Sequence, residues 1–120
     1  MSRIWMALGA VFGLISVAMA AYAAHGLAPE AGALATTGAS LGAWHALALI
    51  GTGLLAERRT GAMVHVAGAL FAVGTLLFCG GVLLRALAGI SIGLVTPLGG
   101  TTLLCGWAVL AVAAMLSPQR

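Results

Sequence analysis

From Ile4 to Ala24 the chain carries no charged residue, a stretch long enough to cross the roughly 30 Å hydrocarbon core of a bilayer at about 1.5 Å per helical residue. A run of that kind has no face to offer water, so it must sit in lipid or inside a much larger core than 120 residues can build. The rest of the chain decides between these. It has neither Lys nor Asp, and its charges are confined to Arg3, Glu30, Glu57, Arg58, Arg59, Arg85 and Arg120. Hydrophobic residues make up 62% and charged residues 6%, against roughly 45–50% and about 25% in a soluble domain. The chain is therefore an integral membrane protein. Its 18 glycines fit the same environment, because small residues let membrane helices approach closely.

Composition also excludes other classes. The net charge of +3 comes from scattered arginines at segment ends, which form no stripe for nucleic acid. Cys79 and Cys105 each lie in an apolar run, giving neither a disulfide framework nor a zinc spacing. No cofactor is expected, and no metal.

The hydropathy pattern predicts an all-α membrane protein, a single domain over 1–120 with helices at about 4–24, 41–56, 61–84 and 98–116. Arg3 followed by an apolar run and the small-residue strings AMA and AYA resembles a secretory signal, but the run exceeds a signal core of about 7–15 residues and is expected to be retained. Gly26 to Ser40 reads as a surface loop with a short interfacial helix, since it holds Pro29, Glu30, two threonines and several glycines. Glu57-Arg58-Arg59-Thr60 reads as a tight polar turn. ALAGISIGLVTP, after Arg85, reads as a connection near the interface, because Gly89, Gly93 and Pro97 interrupt it. With four spans, Arg3, Arg58, Arg59 and Arg120 share one side and Arg85 stands alone on the other, so both termini are expected in the cytoplasm.

Several strings together resemble a known family: AAHGL ending the first helix, WHALAL opening the second, FCGG in the third, then TPLGG and GWAVLA in the fourth. In this combination, and over nearly the whole chain, it is similar to domain of unknown function family 423, small bacterial membrane proteins related to the transmembrane protein 256 family. The resemblance implies four helices and a multi-pass inner-membrane location; it implies no reaction. The family pattern in helix three tends to read Ser-Gly-Ser followed by Leu-Tyr, where this chain has Cys79-Gly80-Gly81-Val82-Leu83, and a Tyr-containing stretch is replaced by Leu41-Gly42-Ala43-Trp44.

Polar groups near a bilayer are costly, about 2.5–3.5 kcal/mol for a central charge on insertion scales, so each needs a reason. The predicted spans put His25, Glu30, His45, Arg85 and Thr96 at one level on the outer side, as one polar cluster. In the structural reading His25 and Arg85 reach water or headgroups while His45 makes an interhelical hydrogen bond. In the functional reading His25 and His45 bind a metal or a b-type haem, or accept protons, and Arg85 holds an anion. His65 stands apart near Arg58 and Arg59, capping or anchoring. The two cysteines read as small hydrophobes. Close packing is expected at Gly9 and Gly13, Gly38 and Gly42, Gly80 and Gly81, and Gly99 and Gly100. Trp5 and Trp44 suit the two interfaces, whereas Trp107 falls inside helix four.

No carboxylate pair and no nucleophile motif is present, so the chain is not expected to be an enzyme. The leading reading is a non-enzymatic accessory or assembly partner, or a binder of lipid or another lipophilic molecule, in contact with the bilayer and with other membrane-protein subunits or itself. Two alternatives come from other classes: an oligomeric transporter or channel for small molecules or ions, suggested by the broken segment after Arg85, and a membrane redox protein with haem between His25 and His45.

Overall fold

The computed structural model describes residues 1–120 as four α-helices: α1 Ser2–His25, α2 Pro29–Arg58, α3 Ala62–Ala88 and α4 Val95–Leu116. Each is long and apolar enough to cross a bilayer, with mean hydropathies of 2.1, 1.4, 2.2 and 1.8 over its most apolar stretch. Connections of a few residues join antiparallel neighbours, and the helices pack in chain order, α1 on α2, α2 on α3 and α3 on α4. The Cα envelope is 50 Å long, close to a bilayer's roughly 40–45 Å with headgroups.

Helix α2 is both the least apolar and the most enclosed: half of its apolar stretch is buried by neighbours (50%), against 22% in α1, 39% in α3 and 22% in α4, which lowers the cost of the Ser, Thr, His and Gly it carries. The core joins Trp5 and Phe12 of α1, Leu49 of α2, Phe71 of α3 and Leu103 of α4; a smaller cluster of Ala56, Val64 and Ala113 lies toward the terminal end.

The expected loop from Gly26 to Ser40 is largely helix, because α2 starts at Pro29 and only Gly26 to Ala28 stay outside. Pro29 occupies the first helical turn, where its missing N–H costs nothing, and Glu30 faces the positive end of the helix dipole. The glycines that read as loop residues are contact points: Gly32 lies against the Ala23 carbonyl, Gly38 against Val82 and Leu83. Helix α3 likewise outruns Arg85 and stops at Gly89, whose φ of 67° lets its N–H return to the Arg85 carbonyl at 3.0 Å. α4 begins at Val95 rather than Leu98, which narrows the expected connection to residues 89–94.

Close approach between helices uses some of the expected glycines and several others. A Cβ on Gly9 would lie 2.6 Å from the Ala46 carbonyl oxygen, and one on Gly99 2.5 Å from the Phe78 amide nitrogen. Gly42 leaves room for the Ser16 hydroxyl, Gly81 for the Thr96 side chain, and Gly100 lies against the Phe78 ring. Gly13 is in ordinary contact only, and a Cβ on Gly80 would meet nothing within 4 Å, so Gly80 is not a packing residue. Four glycines not anticipated are tight: Gly53 against Met6, Gly68 under the Trp5 ring, Gly74 against Leu103 and Gly106 against Phe71.

One end of the bundle is tied by the terminal tail. The Thr60 amide donates to the Pro118 carbonyl and the Arg120 amide to the Arg58 carbonyl, both at 2.9 Å. The Arg59 guanidinium donates to the Ser117 carbonyl at 2.7 Å, a cation at the negative end of α4. The polar turn itself is Arg59 to Gly61, since α2 continues through Glu57 and Arg58. Four spans put both termini on the side of Arg58, Arg59 and Arg120, which the positive-inside rule makes cytoplasmic. Green fluorescent protein fused after Arg120 should glow and alkaline phosphatase fused there should be inactive; the opposite pattern would invert the assignment.

Candidate functional site

At the outer end, Arg85 forms part of the walls of two adjoining open cavities, of about 330 and 230 Å³. Glu30 lines one of them, together with Leu34 and Gly89; Thr96 lines the other, with Ser91 and Gly93. Three residues of the expected cluster, Glu30, Arg85 and Thr96, are thus brought around one level. His25 is at this end too, exposed as the last residue of α1, but lines neither cavity.

His45 does not belong to that cluster. Because α2 starts at Pro29, His45 lies about 24 Å further along the helix axis, near mid-membrane rather than at the outer end. Its ring is buried (6% exposed) and both nitrogens are engaged. The Trp107 indole, a donor only, gives its N–H to His45 Nε2 at 3.1 Å, so the proton of the neutral ring sits on Nδ1, which donates to the Leu41 carbonyl at 2.6 Å. Phe71 packs against both rings, its centroid 5.9 Å from His45 and 5.0 Å from Trp107. The structure therefore does not bring His25 and His45 together, and both His45 nitrogens already have partners. The same shift puts Trp44 at mid-helix facing lipid, not at an interface.

A second pair of the same kind lies nearer the termini. Trp5, buried at 7% exposure, donates from its indole to His65 Nδ1 at 3.0 Å, reaching from α1 to α3. His65 is therefore an interhelical acceptor rather than a cap. Each pair joins helices that are not neighbours in chain order, α1 to α3 and α4 to α2, so the pairs brace the bundle across its width.

The least expected feature is a cleft between α1, α2 and α3, about 110 Å³, many times the roughly 10–15 Å³ one water requires. Phe12 and Ser16 of α1, Gly38 and Gly42 of α2, and Thr75, Cys79 and Leu83 of α3 line it. Ile15 and Leu76 at its rim are exposed on the bilayer-facing surface, so the cleft opens sideways toward lipid. Thr75 Oγ1 is fully buried and has no hydrogen-bond partner, whereas the hydroxyls of Thr52, Thr101 and Thr102 donate to carbonyls one turn back. Nothing in the sequence set Ser16 and Thr75 apart, because a hydroxyl in a membrane helix normally hides its polarity in that local bond.

Comparison with other proteins adds a family to this geometry. Residues 19–100 match the family described as protein of unknown function, DUF423. The UPF0382 inner membrane protein YgdD of Escherichia coli K12 is 34% identical over 119 residues, which cover 95% of this chain and 91% of that one. The chain belongs to the DUF423 family. The UPF0382 membrane protein YwdK of Bacillus subtilis is 34% identical over 94% of this chain and 97% of its own, and a UPF0382 membrane protein of Haemophilus influenzae is 33% identical over 98% of each. No solved structure matches. This DUF423 member is thus a multi-pass inner-membrane protein, in agreement with its four spans. The strings that carry the resemblance also acquire physical meaning: WHALAL and GWAVLA supply the His45–Trp107 hydrogen bond, TPLGG supplies the glycine seat of α4 on α3, and FCGG borders the cleft. All the α2 and α3 residues of the cleft fall within the matched segment; Ser16 precedes it.

Proposed function

We propose that this DUF423 protein is a non-enzymatic membrane protein that holds a lipophilic molecule in the cleft between α1, α2 and α3, alone or as an accessory subunit of a larger membrane assembly. The observation that carries the reading is the cleft itself, about 110 Å³, lined mainly by apolar side chains and glycines without an ion pair, and open to the bilayer-facing surface beside Ile15 and Leu76. Passage through a single copy is disfavoured by comparison, since a path along the bundle axis would cross Trp5, Phe12, Leu49, Phe71 and Leu103.

Native mass spectrometry of gently extracted protein tests this. The wild type should retain a non-covalent mass of a few hundred daltons or more. Gly80→Leu should lose it while remaining folded, because Gly80 borders the cleft and a Cβ there meets no protein atom within 4 Å. Additional protein subunits in the spectrum would identify the accessory form. Bare protein from its own membrane, with neither ligand nor subunit, would overturn the reading.

A further inference from the structure

We infer that the outer end of the bundle binds a phosphoethanolamine group, carried by a membrane lipid or by a soluble ester, in the two adjoining cavities that Arg85 shares; this site is separate from the cleft and does not rest on it. Depth is the first argument. Arg85 lies about 35 Å along α3 from its cytoplasmic start at Ala62, beyond a hydrocarbon core of roughly 30 Å and so at headgroup level, and Glu30 lies in the first turn of α2 at the same end. Lipid phosphates and ammonium groups are found at that level. Arg85 is also the one arginine that four spans leave on the side where arginine is disfavoured.

Charge is the second argument. Arg85 and Glu30 both line the larger cavity, of about 330 Å³; both side chains are exposed, and neither hydrogen-bonds to another residue. Each charge is complemented by its own helix, Glu30 by the positive end of α2 and Arg85, in the last turn of α3, by that helix's negative end. An anion bound at Arg85 alone would face the Glu30 carboxylate, and a cation bound at Glu30 alone would face the guanidinium. A group carrying both charges suits both. The third argument is order. Ser91 lines only the smaller cavity, of about 230 Å³, beside Arg85 and the start of α4, and its oxygen accepts from the Gly93 amide at 3.4 Å, which leaves the hydroxyl hydrogen for a phosphate oxygen. Glu30 lines only the larger one, with Ala86 and Gly89, where the last carbonyls of α3 end without helical partners. The phosphate therefore sits between Arg85 and Ser91, and the ammonium beside Glu30. A carboxylate and free carbonyls accept hydrogen bonds, so they suit an ammonium that carries N–H groups; a quaternary choline has none to give. No aromatic side chain lines either cavity to receive choline by its ring face.

The test is native mass spectrometry of the full chain in detergent, titrated with equal concentrations of the dioleoyl forms of phosphatidylethanolamine, phosphatidylcholine and phosphatidylglycerol. Identical acyl chains make any occupancy of the cleft common to the three. The wild type should retain phosphatidylethanolamine about threefold to fivefold more than either other lipid, the range that exposed ion pairs support. Arg85→Gln and Glu30→Gln should each bring it down to the phosphatidylcholine level, whereas Arg85→Lys should keep most of the preference. Both side chains are exposed, so all three variants should unfold at the wild-type temperature in phosphatidylcholine. Displacement of the lipid by excess glycerophosphoethanolamine would show that the soluble ester is bound too, and persistence of the lipid would confine binding to the membrane-borne group; both support the charge assignment. Equal retention of the three lipids, or a preference for phosphatidylglycerol, would overturn it. So would a phosphatidylethanolamine preference that survives both Gln variants, or one that is lost in Gly80→Leu, which would place the lipid in the cleft.

Discussion

Gly99→Ala is expected to lower the stability of the bundle by about 1–3 kcal/mol, the usual cost of overpacking a filled interior. The added Cβ would lie 2.5 Å from the Phe78 amide nitrogen, 2.8 Å from Leu77 Cβ and 2.9 Å from the Leu77 carbonyl carbon. Two of these are backbone atoms inside α3 and cannot swing away, so α4 would have to move off α3. That displacement also loosens Gly74 against Leu103 and Gly106 against Phe71, which share the interface. Gly80→Ala provides the opposite sign in the same pair of residue types: nothing opposes its Cβ, and Ala exceeds Gly in helix propensity by about 1 kcal/mol. Unfolding midpoints of both variants in one detergent decide the matter. A Gly99→Ala protein as stable as the wild type would show that α3 and α4 do not meet in this register.

His45→Ala is expected to cost about 2–5 kcal/mol, through two effects that add. The first is a cavity beside Phe71 and Trp107 where the imidazole was. The second is the Trp107 indole N–H, which loses its acceptor in a region without water to replace it. His45→Gln separates the two, since a side-chain amide oxygen can accept from the indole, and it should recover part of the loss. Trp107→Phe should be milder than His45→Ala, because it keeps an aromatic ring and removes the donor that would be orphaned. A double-mutant cycle should give a coupling of about 0.6–1.7 kcal/mol, as membrane interhelical hydrogen bonds do. Coupling near zero would mean that Trp107 and His45 are neighbours without a bond.

The number of spans, the membrane location and the clustering of arginines at one end were all legible in the residues themselves. Each depends on a property that a residue carries alone: a charge costs free energy in hydrocarbon whatever lies beside it. The start of α2 was partly legible. Ala31 to Ala56 holds no charge, and Pro29 followed by Glu30 is a helix-start signal, but the density of Gly and Thr between Gly32 and Ser40 weighs toward a loop. Those glycines are tolerated in a helix because α3 and the end of α1 pack against them, which no local propensity contains.

That one boundary also decides how the candidate site reads. With α2 begun near Leu41, His45 falls beside His25 and Arg85; with α2 begun at Pro29, it falls at mid-membrane and meets Trp107. Thr75 was invisible for a related reason, since its sequence neighbours are those of any threonine that bonds its own helix. The sequence alone therefore determined the solvent, the class and the number of helices, because lipid acts on residues one at a time. Tertiary structure decided which polar groups meet, which glycines are contacts and where space remains, because these depend on the rotation and axial offset of one helix against another.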